Sequence, residues 1–477
     1  MNIKLLIGLV FLHIPSFNLA FADQMSKKPI YEKTQLPNGL TVVAMESHKV
    51  PLVTLVLAFK AGAMTETPET NGLSHFWEHM FFKGNKTLPT QELFKKKIRE
   101  LGIYYNGETG AEIIKYYFTM PSKFLDEGLK FMRDAISEPL LDEKEIGKER
   151  GVILDEYDRN ASNPFFEFKL LNRALMYGKN FMHLRDPLGR RQVIAGANRQ
   201  QMLLIKNKIF VPQNAGLFIS GDIKFDDLKS KVIKHFESWS SPEGWKIEEP
   251  PKFPPLVESK QFVMVKKDVT NAFVFIQFRG PNARFQPKDS FVADILINLL
   301  GHQSGKFRKT YIESGLTFNA DLDYLTQSHG ASMSLSAVAA PQDIKKVAEK
   351  FKDEIELWTK PEYFSEEQLN DIRRTLLIDH KFQLNKPSQY IKTLSFWWVV
   401  TGLDYYDDYL ENLRKVTLSD VRDFVKKYMF KKPSLTAFIM SPDDAPKSGL
   451  EDTASDLVKQ ELSDYYKQNG DGGTVHD

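Results

Sequence analysis

The sequence predicts an α+β protein made of two homologous α/β-sandwich domains, each a sheet with helices on one face, arising from an internal duplication. Three observations carry that reading. The chain has 477 residues, too many for one ordinary core. A Pro-, Glu- and Lys-rich stretch at 242–258 has the composition of a linker. On either side of it the periodic segments run in the same order: strand, strand, helix, and later a strand, several helices and a closing strand.

Residues 1–22 come first. They join a positive start to an apolar run and end in Ala20-Phe21-Ala22, the small-x-small form of a secretory cleavage site. The first domain, 31–241, opens with strand-like runs at 40–45, after an Asn38-Gly39 turn, and at 52–60. A helix around His75 follows, then a helix at 89–101, a loop or strand at 104–109, and an aromatic β run at 115–120. Leu125, Leu129, Met132 and Ile136 make 124–136 an amphipathic helix. A strongly charged helix at 142–159 and a strand at 216–220 complete the set. In the second domain, 259–445, strands are expected at 261–265, 272–278, 330–337 and 435–440. Its helices are expected at 289–300, 342–358, 365–380 and 418–428. The polar tail 446–477 reads as mobile, with a candidate short helix at 454–466.

Composition narrows the function. A formal net charge of +2 points neither to nucleic acid nor to an anionic membrane. With no cysteine there is no disulfide framework and no lipidation site after the leader, so an exported chain would be free in the periplasm. Any metal ligand must then be His, Asp or Glu, which suits a catalytic site better than a structural one.

The chemistry concentrates in His75-Phe76-Trp77-Glu78-His79. On a helix, His75, Glu78 and His79 share one face, while Leu73, Phe76, Trp77 and Met80 form an apolar stripe. Two neutral imidazoles one turn apart suit Zn²⁺, and a neighbouring carboxylate can take a proton from water. This H-x-x-E-H order is a zinc-peptidase signature. Two histidines on a polar helix face are more often simply solvated, so a third ligand is needed. The charged helix offers Glu145, Glu149 and Glu156 on one face, although a solvated acidic face is the ordinary reading of such a pattern. The matching helix of the second half, at 291–300, has no histidine. Chemistry is therefore expected in one half only.

His-Phe-Trp-Glu-His-Met-Phe-Phe-Lys-Gly at 75–84, followed by Glu-Arg-Gly-Val-Ile-Leu-Asp-Glu at 149–156, resembles the pitrilysin, insulinase and mitochondrial-processing-peptidase family of zinc peptidases. The likeness covers the layout of residues 31–445 and is nearest to the bacterial periplasmic members of similar length. It implies one Zn²⁺ per chain held by His75, His79 and Glu156, with Glu78 as general base and Glu149 supporting the site without ligating. It also implies that substrate peptide lies as an added strand along a sheet edge, with Asn106 as a backbone-contacting residue, although Asn-Gly is more often a plain turn. The activity implied is that of an endopeptidase. The competing expectation is a non-catalytic subunit that only holds substrate or partner.

One departure matters. Family members of this size often carry an arginine four residues before a second-half glycine and a tyrosine three after it. Around Gly315 this chain has Tyr311 and Phe318. The resemblance then implies a homologous partner that lacks the zinc motif and supplies the Arg/Tyr pair, or otherwise a homodimer. Alternatively, the match around Gly315 is offset by a residue, or Tyr311 and Phe318 simply pack in the core.

Overall fold

The computed structural model describes residues 30–247 and 249–469, whose strands fall into two sheets. The six-stranded sheet has the order β1 (Glu32–Gln35), β2 (Thr41–Glu46), β6 (Ala215–Gly221), β3 (Leu52–Lys60), β5 (Ile113–Pro121), β4 (Tyr104–Thr109). The five-stranded sheet runs β7 (Lys260–Val265), β11 (Leu435–Met440), β8 (Ala272–Arg279), β10 (Ser332–Ala339), β9 (Asn319–Leu325). Apart from β1, the two orders match strand for strand. In each the closing strand pairs parallel with the opening one (β2 with β6, β7 with β11), and the remaining pairings are antiparallel. The duplication inferred from element order is therefore a duplication of topology.

The burial of the strands explains their sequences. Strand β6, Ala-Gly-Leu-Phe-Ile-Ser-Gly, is buried at every residue and so reads as a continuous small or apolar run. Strand β9, Asn-Ala-Asp-Leu-Asp-Tyr-Leu, was not expected from the sequence. It buries Ala320 and Leu322 and turns its aspartates outward, the charged pattern of an edge strand. The uncertain segment 104–109 is β4, the edge of the first sheet.

Each sheet carries its own helices on one face. Its other face is covered by the opposite half. Tyr390, Ile391, Leu394 and Trp398 of helix Pro387–Val400 pack on Val43, Val56, Ala58 and Phe218 of the first sheet. Reciprocally, Phe168, Leu171 and Leu175 of helix Phe165–Tyr177 pack with Phe262, Leu435 and Ile439 of the second. Both covering helices are apolar nearly all round, so they lack the single stripe that marks an amphipathic helix.

The tail expectation needs correction. Residues 446–469 are not a loose extension: Ala454, Val458, Leu462 and Tyr465 are buried in the core around the Phe165–Tyr177 helix, and the Tyr157 and Tyr465 hydroxyls lie 2.8 Å apart. Four apolar residues at helical spacing anchor an otherwise polar segment. No helix or strand forms at 242–258 among the described residues, and Trp245 Nε1 there donates to the Lys208 carbonyl at 2.9 Å. The expected leader, 1–22, and the last tail residues, 470–477, lie outside the described residues. Among the described residues no helix is long and apolar enough to cross a membrane.

Candidate active site

The His helix spans Leu73–Phe81 and starts at Gly72, whose φ of 101° is in the left-handed region that glycine adopts without strain. A side chain there would also meet Gly189, its Cβ falling 2.9 Å from the Gly189 Cα. The buried Glu66 carboxylate closes the helix N-terminus. It accepts the Gly72 N–H at 2.9 Å and the Ser74 N–H at 2.8 Å, and takes a further bond from Asn71 Nδ2. Orphan backbone donors are thereby satisfied by a negative group at the positive end of the helix. Behind the helix Trp77 stacks on Phe210 at 3.9 Å and Phe81 on Tyr116 at 4.1 Å, which fixes its rotation.

The acidic helix, Glu143–Ala161, is capped by Asp142, which accepts the N–H groups of Lys144 and Glu145. Ile146, Glu149, Ile153 and Tyr157 are its buried residues. Glu149 therefore points inward, and Oε1 lies 2.8 Å from His79 Nδ1 while Oε2 pairs with Lys83. Burial alone would raise the Glu149 carboxyl, but His79 and Lys83 hold it below its ordinary value. Glu145 turns away and pairs with Lys148.

Two turns beyond Glu149, and about one beyond Ile153, Glu156 reaches the histidines. His75 Nε2 and His79 Nε2 stand 3.3 Å apart, and Glu156 Oε2 lies 3.9 Å from the first and 3.7 Å from the second. Among the described residues this is the one group of His and acidic side chains that converges closely enough to hold a metal ion. Tetrahedral ligands about 2.0–2.1 Å from zinc would stand about 3.3 Å from each other. The spacing fits, slightly open. Burial, followed by the neighbouring His79, lowers His75 to about 4, so its imidazole is neutral and ready to donate a lone pair.

Glu78 projects beside this cluster and is only 9% exposed. Burial pushes its carboxyl above the ordinary value, against the Thr109 hydrogen bond and the His79 charge. Thr109 Oγ1 donates to Glu78 Oε2 at 2.8 Å. Gly107 and Thr109 face Glu78, so by strand alternation Asn106 lies on the other face of β4, where it is exposed. Tyr311 is fully buried against Phe307 and Phe351, and Phe318 is 66% exposed; neither belongs to the cluster. Sequence reasoning missed Glu66, Lys83, Gly107 and Thr109. Lys83 alone had a signal, since 75, 79 and 83 continue one four-residue spacing.

Two family descriptions match this chain: Insulinase (Peptidase family M16) over residues 41–187, and Peptidase M16 inactive domain over 196–376. The chain belongs to peptidase family M16. Its relatives include the zinc protease PqqE of Helicobacter pylori, 24% identical over 457 residues that cover 92% of this chain and 99% of that one. The β subunit of the Bos taurus mitochondrial-processing peptidase is 31% identical over 253 residues, 52% of this chain and 50% of that one. In fold the M16 chain resembles a Helicobacter pylori protease, with a TM-score of 0.78 at 23% identity, covering 87% of this chain and all of that one. It also resembles the first half of the Escherichia coli periplasmic protease PqqL, with a TM-score of 0.74 at 17% identity and coverage of 92% and 97%. The second family match starts at residue 196, ahead of β6. It therefore takes in the last strand of the first sheet, so the family boundary and the division between the sheets do not coincide.

Proposed function

We propose that this M16 chain is an exported, periplasmic zinc endopeptidase with one Zn²⁺ held by His75, His79 and Glu156. The observation that carries the reading is the convergence of the three ligand atoms beside the buried carboxylate of Glu78. Zinc held there supplies a Lewis acid that polarises a carbonyl and lets water ionise near neutral pH. Glu149 fixes the His79 ring through Nδ1, leaving Nε2 for the metal. Glu78 takes the proton of the attacking water and returns it to the leaving amine, the general acid–base role open to a carboxylate beside the metal ligands. The free edge of β4 offers backbone N–H and C=O groups on which an extended peptide can add as a strand, with Asn106 beside it. Export is supported by the leader-like 1–22 and by the neighbour described as periplasmic.

Tyr311 and Phe318 favour an addition to this reading: a homologous subunit without the zinc motif supplies an Arg/Tyr pair on the substrate side, or else the chain forms a homodimer. Co-expression with such a subunit is expected to raise a weak basal activity, and full activity of the single chain would remove the partner from the account. The zinc reading is tested by titrating Zn²⁺ into chelator-treated protein while following cleavage of a quenched peptide library. Activity should return in step with one equivalent per chain. Undiminished cleavage by the metal-free protein would overturn it.

A further inference from the structure

We propose that Thr109 is a positioning residue for Glu78, holding one carboxylate oxygen and so fixing the orientation in which the group meets the reacting water; the inference rests on the reading of Glu78 as the base. The geometry is a two-sided clamp. Thr109 Oγ1 binds Oε2 at 2.8 Å, and no hydrogen bond among the described residues reaches Oε1. On the other side Gly107 presents bare backbone. A Cβ at 107 would lie 2.5 Å from Oε1 and 2.9 Å from Cδ, so the carboxylate can lie against the strand only because the residue is glycine.

The clamp is rigid because its frame is backbone. Gly107 pairs with Tyr116 and Thr109 with Ile114 in the β4–β5 ladder. Immediately after Thr109, the Gly110 and Ala111 carbonyls accept the N–H groups of Ala63 and Met64 at 3.2 and 2.9 Å. The same strand offers the free edge on which a peptide would add. Thr109 thus ties the orientation of the base to the strand that sets the register of the substrate, so a carbonyl placed by β4 arrives beside an oxygen placed by β4.

The test uses the zinc-loaded full chain and four variants: Thr109→Val, which keeps shape and loses the donor, Thr109→Ser, which restores the donor, Glu78→Gln, and Glu78→Gln with Thr109→Val. Thr109→Val should lower kcat about 10- to 100-fold with KM and zinc content close to wild type, as expected for loss of a hydrogen bond to a charged group. Thr109→Ser should recover most of kcat. In the Glu78→Gln background, Thr109→Val should cost no more than about twofold further, since it acts through the base. The inference is overturned if Thr109→Val keeps kcat within about threefold of wild type, if KM takes the loss, or if the two substitutions are additive. If wild type and Glu78→Gln cleave equally, the reading of the base has failed and the inference falls with it; wild-type activity lost in Glu78→Gln but kept in Thr109→Val overturns the inference alone.

Discussion

At the scale of single residues, Glu149 joins the candidate metal ligands to the packed interior. It is 5% exposed, it holds His79 through Nδ1, and Lys83 neutralises its other oxygen. Glu149→Gln keeps the volume and weakens the hold, so zinc affinity should fall about 10- to 100-fold. A competition titration with a chromophoric chelator measures this, and an unchanged affinity would remove Glu149 from the site. His75, Glu78 and His79 could be grouped from the sequence because helical spacing alone brings them to one face and their side chains carry metal and acid–base chemistry, whereas Glu156 was singled out from Glu145 and Glu149 only by the resemblance to the family. Thr109 and Gly107 were legible in neither way. Their role depends on β4 lying beside the His helix, a contact between segments that local periodicity does not encode.

At the scale of elements, the His helix is held by what lies behind it. Trp77 is fully buried on Phe210, and Trp77→Ala should destabilise the metal-free protein by about 3–5 kcal/mol, read from urea unfolding. A loss below about 1 kcal/mol would mean that the helix is fixed from elsewhere. The corresponding helix of the second half, Pro287–Gly301, carries Asp294. Burial raises its carboxyl from 3.8 to about 7, and Tyr409 donates a 2.7 Å hydrogen bond to it. Between those pH values the folded state keeps a proton that the unfolded chain has lost, so the contribution of this group to stability falls as pH rises from 3.8 to 7. Asn cannot ionise. The melting temperature of Asp294→Asn should therefore gain on wild type between pH 5 and pH 8, and a constant or shrinking difference contradicts the assignment.

At the scale of the whole molecule, the two halves are built to cover one another. Helix Pro387–Val400 roofs the first sheet, helix Phe165–Tyr177 roofs the second, and Glu112 accepts the N–H groups of Ser328 and His329 across the join. A first half expressed alone, 23–258, would expose Val43, Val56, Ala58 and Phe218, and it should show no cooperative melt and rapid proteolysis until the second half is supplied. A stable, monomeric, protease-resistant first half would contradict this packing. The duplication was legible because both halves repeat one order of elements about a Pro-rich stretch. The exchange of helices was not, since an evenly apolar helix announces that it is buried without saying against what. The central claim is that Glu78 works as the base beside a metal held by His75, His79 and Glu156. It is tested most directly by comparing the cleavage rate of zinc-loaded wild type with that of zinc-loaded Glu78→Gln on one quenched peptide. The account predicts equal zinc content and a loss of activity of at least about 1,000-fold, well beyond the contribution of an orienting residue; a variant that binds zinc and cleaves as fast as wild type would contradict it.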